Sequence, residues 1–161
     1  MHQICRPLEL IWSDLLREKL FRIGIATKII LIIAFMPTIQ QEWFIPFIVN
    51  WIESPTTLPW SGHLLSGGDP LAFPYGVVMF IFHLPTTAAG WIIDHFFAVG
   101  YFTNVGFRIS LLCADVLLLL LLLQIFEYHW RKILIYYWLS PLVLFITYWH
   151  GQTDLIPIVL F

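Results

Sequence analysis

Apolar residues dominate this chain, and the few polar positions that interrupt them divide it into segments. Over residues 8–21, Leu8, Ile11, Trp12, Leu15, Leu16 and Leu20 recur at helical spacing. Asp14, Arg17, Glu18 and Lys19 fall mostly elsewhere, so the stretch predicts an amphipathic helix. Such a helix lies in the headgroup plane or extends the span that follows. Residues 23–39 read as that span: positions 29–36 carry no polar side chain, Lys28 sits near one end where its stem can snorkel, and Pro37 with Gln40, Gln41 and Glu42 marks the exit. Residues 42–75 hold Pro46, Pro55, Pro59, Pro70 and Pro74, three glycines (Gly62, Gly67, Gly68) and Trp43, Trp51 and Trp60. Proline and glycine punctuate, and tryptophan prefers the membrane interface, so this reads as an ordered loop of short helices hugging one face. Residues 76–97 are apolar but broken by His83, Pro85 and Gly90. They are either a second span or short helices that dip in from one face, which is tolerable only when buried in protein. Residues 111–126 form a strong span with an unbroken leucine run from Leu117 to Leu123. After Glu127, Tyr128, His129, Trp130, Arg131 and Lys132 comes another span over 133–149. Residues 155–161 read as the start of a span that a partner or a missing C-terminal half would complete.

Composition narrows the class. Of 161 residues, 60% are hydrophobic and only 11% charged, and the mean hydropathy is +0.84. That is too little polar surface to cover a soluble core. Net charge is only −2 and no basic cluster stands out, which argues against disorder and against a nucleic-acid partner. The basic residues then set orientation. Arg6, Arg17, Lys19, Arg22 and Lys28 lie at the start, none falls between Ile29 and Phe107, and Arg108, Arg131 and Lys132 complete the set. Cytoplasmic flanks collect such residues. The N-terminus should therefore be cytoplasmic, and letting 76–97 dip rather than cross keeps Arg131 and Lys132 on the same side. The expectation is an all-α, multi-pass integral membrane protein forming a single membrane domain. Residues 1–22 make a cytoplasmic amphipathic helix, and spans cover 23–39, 107–126 and 133–149. Residues 40–106 make an outer loop of juxtamembrane or re-entrant helices. Cys5 and Cys113 make a poor disulfide pair, one in the basic N-terminal segment and the other in an apolar run. The interspersed acids and the absence of a small-residue cleavage site argue against a secretory signal.

Chemistry has to come from a few polar residues. A charge deep in a bilayer costs at least about 2.5–3.5 kcal/mol on insertion scales, so it has a partner or a task. Asp115, inside Leu111-Leu112-Cys113-Ala114-Asp115-Val116, either binds a ligand or pairs with Arg108 along the same helix. The run Trp149-His150-Gly151-Gln152-Thr153-Asp154 is either a polar pocket wall or a solvated turn; Gln152 and Asp154 offer paired hydrogen bonds suited to sugar hydroxyls. The Gly67-Gly68-Asp69-Pro70 segment lets the backbone approach a ligand and offers Asp69 as a general base, or else it is an Asp-Pro turn. Glu42 and Glu53 are the other carboxylates of the loop. His63 and His83 lack the spacing of a histidine metal site, and no phosphate loop, dinucleotide fingerprint or nucleophile elbow is present.

Together these residues resemble the N-terminal part of the GT-C glycosyltransferases, polytopic enzymes that use lipid-phosphate sugars, with the nearest likeness to the GPI-mannosyltransferase-I type. Three motifs in order carry the resemblance. The first is an acidic, Trp-rich loop closing in Phe73-Pro74-Tyr75-Gly76. The second is the acid of Cys113-Ala114-Asp115-Val116-Leu117. The third is Ser140-Pro141-Leu142 followed by Gly151-Gln152-Thr153-Asp154. The two-carboxylate pattern of some members is missing. The resemblance implies inverting transfer of a mannose-like hexose from a polyprenyl- or dolichyl-phosphate donor to an acceptor hydroxyl. Asp69, Glu42 or Glu53 would be the base. Gln152, Asp154, His150, Asp115 and Tyr75 would line the sugar or phosphate pocket, and Arg108 would face the leaving phosphate. No cofactor is implied, and a need for a divalent metal is left open. The competing expectation is a small non-catalytic membrane subunit packing against a larger transferase or transporter. In either case the lipid bilayer is the surrounding partner.

Overall fold

The computed structural model describes residues 8–55, 58–126 and 129–160. Every regular element among them is helical, so the chain is all-α as its periodicity predicts. Val77–Phe97, Phe102–Ile125 and the run Trp130–His150 are long and apolar enough to cross a membrane. The described residues form two compact units, one made of Ile32–Leu111 and the other of the remainder.

In the Ile32–Leu111 unit, a wide helical turn over Gln40–Phe44 leads into α3 (Ile45–Glu53), and α4 (Pro59–Leu65) follows. Pro46 and Pro59 sit in the first turns of these helices, where a missing N–H leaves no bond unmade. The sequence leaves 76–97 as either a second span or short helices dipping in from one face. The structure has one continuous helix there, α5 (Val77–Phe97), with Pro85 inside it. Of the residues that look like breakers, His83 and Gly90 are buried and Pro85 is exposed. The His83 backbone carbonyl accepts the Thr87 hydroxyl at 2.8 Å. At Gly90 and Gly106 a β-carbon would collide with the backbone carbonyls of Phe102 and Thr86 respectively, so α5 and α6 (Phe102–Ile125) meet backbone to backbone there. Asp94, near the end of α5, caps the start of α6. Its carboxylate accepts the N–H groups of Phe102 at 2.9 Å and Thr103 at 2.7 Å and the Thr103 hydroxyl at 2.6 Å. The core of this unit is aromatic: Phe44, Phe47, Phe73, Phe80 and Phe107 are all buried.

The other unit contains α1 (Leu8–Arg17), the larger part of α2 (Lys19–Ala34), and most of α6. It also holds α7 (Trp130–Ile133) with a wide turn over Leu134–Trp138, α8 (Pro141–Val143) running on through Leu144–His150, and α9 (Leu155–Leu160). The predicted amphipathic helix ends at Arg17 rather than Phe21, and the predicted first span ends as a helix at Ala34 rather than 39. Ile11 and Leu15 of α1 are fully buried beside Phe21, Leu119, Leu123, Leu134 and Trp138, whereas Leu10, Trp12 and Leu16 stay exposed. The predicted third span starts at Trp130 and is interrupted at Ser140, whose extended backbone is the conformation that a following proline imposes. The Trp138 indole stacks on Phe21 at 5.2 Å and donates to its carbonyl at 3.1 Å. Gly24 lies flush against that indole, where a β-carbon would not fit. Cys113 carries a free thiol; Cys5, Arg6, Glu127, Tyr128 and Phe161 lie outside the described residues.

Candidate functional site

The acids expected in the loop all fall in the Ile32–Leu111 unit, and all are exposed. Glu42 lies in the turn before α3, Glu53 at the end of α3, and Asp69 in the segment after α4. Asp69 closes a turn with its own backbone, since its Oδ1 accepts the Leu71 N–H at 2.7 Å and its carbonyl accepts the Ala72 N–H at 3.0 Å. The segment is pinned from both sides. Asn50 donates to the Ser66 hydroxyl at 3.0 Å, and the Trp60 indole donates to the Phe73 carbonyl at 3.3 Å. Phe73 stacks on Phe47 at 4.9 Å, and the half-buried Tyr75 ring packs edge-on against Phe44 at 5.5 Å. Asp69 is therefore an exposed carboxylate on a short loop that is backed by a packed aromatic cluster.

His63, buried against Phe47 at 5.1 Å, has no hydrogen-bond partner for either ring nitrogen among the described residues. His83 is fully buried and stacked on Phe107 at 4.1 Å. Ser110 donates its hydroxyl hydrogen to the Phe107 carbonyl at 2.6 Å, so at 2.5 Å it can only accept from His83 Nδ1. That assignment leaves His83 Nε2 as a bare acceptor. No group of three or more His, Cys, Asp and Glu side chains among the described residues could hold a metal ion.

Arg108 does not face open space. Its guanidinium is buried and donates to the carbonyl of Ile32 at 2.6 Å and to that of Phe35. These carbonyls stand at the C-terminal end of α2, where the last turn of a helix leaves acceptors without intrahelical partners. The Tyr101 hydroxyl serves a neighbouring carbonyl, that of Ile33, at 2.8 Å.

In the other unit the polar centre is Asp115, and its counter-charge is Lys28 rather than Arg108. Both side chains are fully buried and form an ion pair. Lys28 does not snorkel: its ammonium also sits 3.7 Å from the centre of a Trp138 ring. Asp115 Oδ1 accepts the Tyr137 hydroxyl at 2.7 Å, and Oδ2 accepts the Tyr148 hydroxyl at 2.6 Å. One carboxylate thus joins α2, α6 and both halves of the Trp130–His150 run. Sequence reasoning finds Asp115 but misses its three donors. The available signal was that Lys28 directly precedes the apolar run 29–36, where a charge needs a partner.

The turn 150–154 belongs to the same unit. Gly151 has φ 84°, a left-handed geometry that suits glycine, and the Gln152 N–H returns to the Ile146 carbonyl at 3.1 Å, closing the helix end. His150 stacks on Phe145 at 6.4 Å, Asp154 is exposed, and Gln152 is half-buried. The Thr153 hydroxyl is buried without a hydrogen-bond partner among the described residues. Asp154 belongs to a different compact unit from Glu42, Glu53 and Asp69. No family model, no curated protein and no solved structure matches this chain.

Proposed function

We propose that this chain is the part of a multi-pass membrane glycosyltransferase that carries the first outer loop, with the N-terminus cytoplasmic. It would move a mannose-like hexose from a polyprenyl- or dolichyl-phosphate donor to an acceptor hydroxyl. The observation that carries the reading is Asp69: an exposed carboxylate whose turn is fixed by its own hydrogen bonds and by the aromatic packing of Phe73. A base that removes a proton from a bulky acceptor needs that combination of access and fixed position. The short helices α3 and α4 before it agree with the loop architecture that the sequence resemblance implies. In the step itself, Asp69 takes the hydroxyl proton as the acceptor oxygen attacks the anomeric carbon, and the carbon–oxygen bond to the lipid phosphate breaks with its electrons leaving on the phosphate. Arg108 is committed to two backbone carbonyls, so the cation facing the phosphate comes from elsewhere.

A second reading is favoured by a different observation. Lys28, Asp115 and Arg108 are all engaged within the protein, as expected of a non-catalytic subunit whose buried charges serve architecture. Membranes carrying the complete reading frame, supplied with radiolabelled polyprenyl-phosphate hexoses, separate the two. The enzyme reading expects transfer to acceptor and a loss of at least about 100-fold in Asp69→Asn. No transfer from any hexose donor leaves the subunit reading. Cysteine labelling at Asp69→Cys and Arg131→Cys tests the topology and should report opposite faces.

A further inference from the structure

After Lys28 the chain holds only three basic residues, Arg108, Arg131 and Lys132. Arg108 is buried on backbone carbonyls. Arg131 and Lys132 are exposed, and no acid among the described residues pairs with either. They share a cavity of about 350 Å³ with His129, Ile135 and Tyr136. This cavity lies at one end of Trp130–His150, a run long enough to cross a membrane.

The chemistry of the lining is one-sided. The guanidinium and ammonium are donors only, and imidazole and phenol can both donate. Among the described residues, none that lines the cavity is acidic. Such a set fits a ligand rich in oxygen acceptors and negatively charged. A phosphodiester is that group, and Arg131 can take two of its oxygens at once. The remaining wall is apolar: Ile135 is 45% exposed and Tyr136 is 78% exposed. A free anion gains nothing from those faces, whereas a phosphate that carries hydrocarbon does. Tyrosine and basic side chains at the end of a membrane-length helix are also the arrangement that meets headgroups.

We propose that His129, Arg131, Lys132 and Tyr136 form a binding site for the phosphate headgroup of an anionic phospholipid. The site is independent of the glycosyltransferase reading, since it uses none of the residues assigned to transfer. Its exposed position also means that the ligand binds from the lipid rather than from inside the protein.

The test uses the full chain, purified in neutral detergent and analysed by native mass spectrometry with phosphatidylglycerol or phosphatidylcholine added. The expected result is at least tenfold preferential retention of phosphatidylglycerol, lost in Arg131→Gln/Lys132→Gln. A second double variant, Lys19→Gln/Arg22→Gln, removes the same charge from another part of the chain and should keep the preference. Circular dichroism of both variants checks that helix content is retained. Equal retention of the two lipids, or equal loss in both double variants, overturns the proposal, the second by showing diffuse attraction in place of a site. Displacement by millimolar inorganic phosphate would reassign the cavity to a free anion and overturn it as well.

Discussion

Asp115 and Asp69 belong to the two compact units and are handled in opposite ways. Asp115 is fully buried and closed by one ammonium and two phenols. Asp69 stays exposed and uses one oxygen to shape its own turn. Removing a charge from water costs several kcal/mol, which only well-aimed partners offset. The buried acid is therefore bound to particular neighbours, and the exposed acid is free to meet something that is not part of the protein. In an apolar chain, an acid closed by buried donors holds the fold, and an acid left open is available for chemistry.

Variants break this contrast in order of size. Lys28→Met leaves Asp115 without its counter-charge and should cost about 3–5 kcal/mol, read as a large fall in denaturation midpoint in detergent. Lys28→Met/Asp115→Leu should recover most of that loss, because an apolar pair needs no compensation; a double variant as weak as the single one would refute the account of Asp115. Arg108→Met strips the Ile32 and Phe35 carbonyls of a charged donor and should cost about 1.5–3 kcal/mol. Gly106→Val drives a side chain into the Thr86 carbonyl and should cost about 1–3 kcal/mol by the same measurement. Tyr137→Phe removes one of three donors to Asp115 and should cost about 1 kcal/mol. Asp69→Asn should shift stability by less than about 0.5 kcal/mol, while its effect on transfer is the test of the proposed reaction.

Much of the fold was legible in the sequence because hydrophobic periodicity and length are local properties. The long helix through Leu117 follows from its unbroken leucine run, and the run through Ile146 from its apolar composition, with the break at Ser140 set by Pro141. In 76–97, His83, Pro85 and Gly90 look like local breakers, so the sequence leaves a continuous span and short dipping helices both open. Two of the three have tertiary uses: His83 stacks on Phe107, and Gly90 admits the Phe102 backbone. The same limit applies to the polar residues. Asp69 and the Gly151 turn could be read from adjacent residues, since each makes its bonds within a few positions. Asp115 could be seen but not assigned, because Lys28, Tyr137 and Tyr148 reach it from distant segments and nothing local marks a tyrosine as a donor.

The Lys28–Asp115 pair carries a consequence for synthesis. The two residues are 87 positions apart, and ribosomes add about 5–20 residues per second, so the lysine is made roughly 4–17 s before the aspartate. Throughout that interval α2 has its ammonium and no counter-ion from α6. Until α6 arrives, water or other polar groups must solvate that ammonium, so α2 reaches its final packing only after its acid has been made.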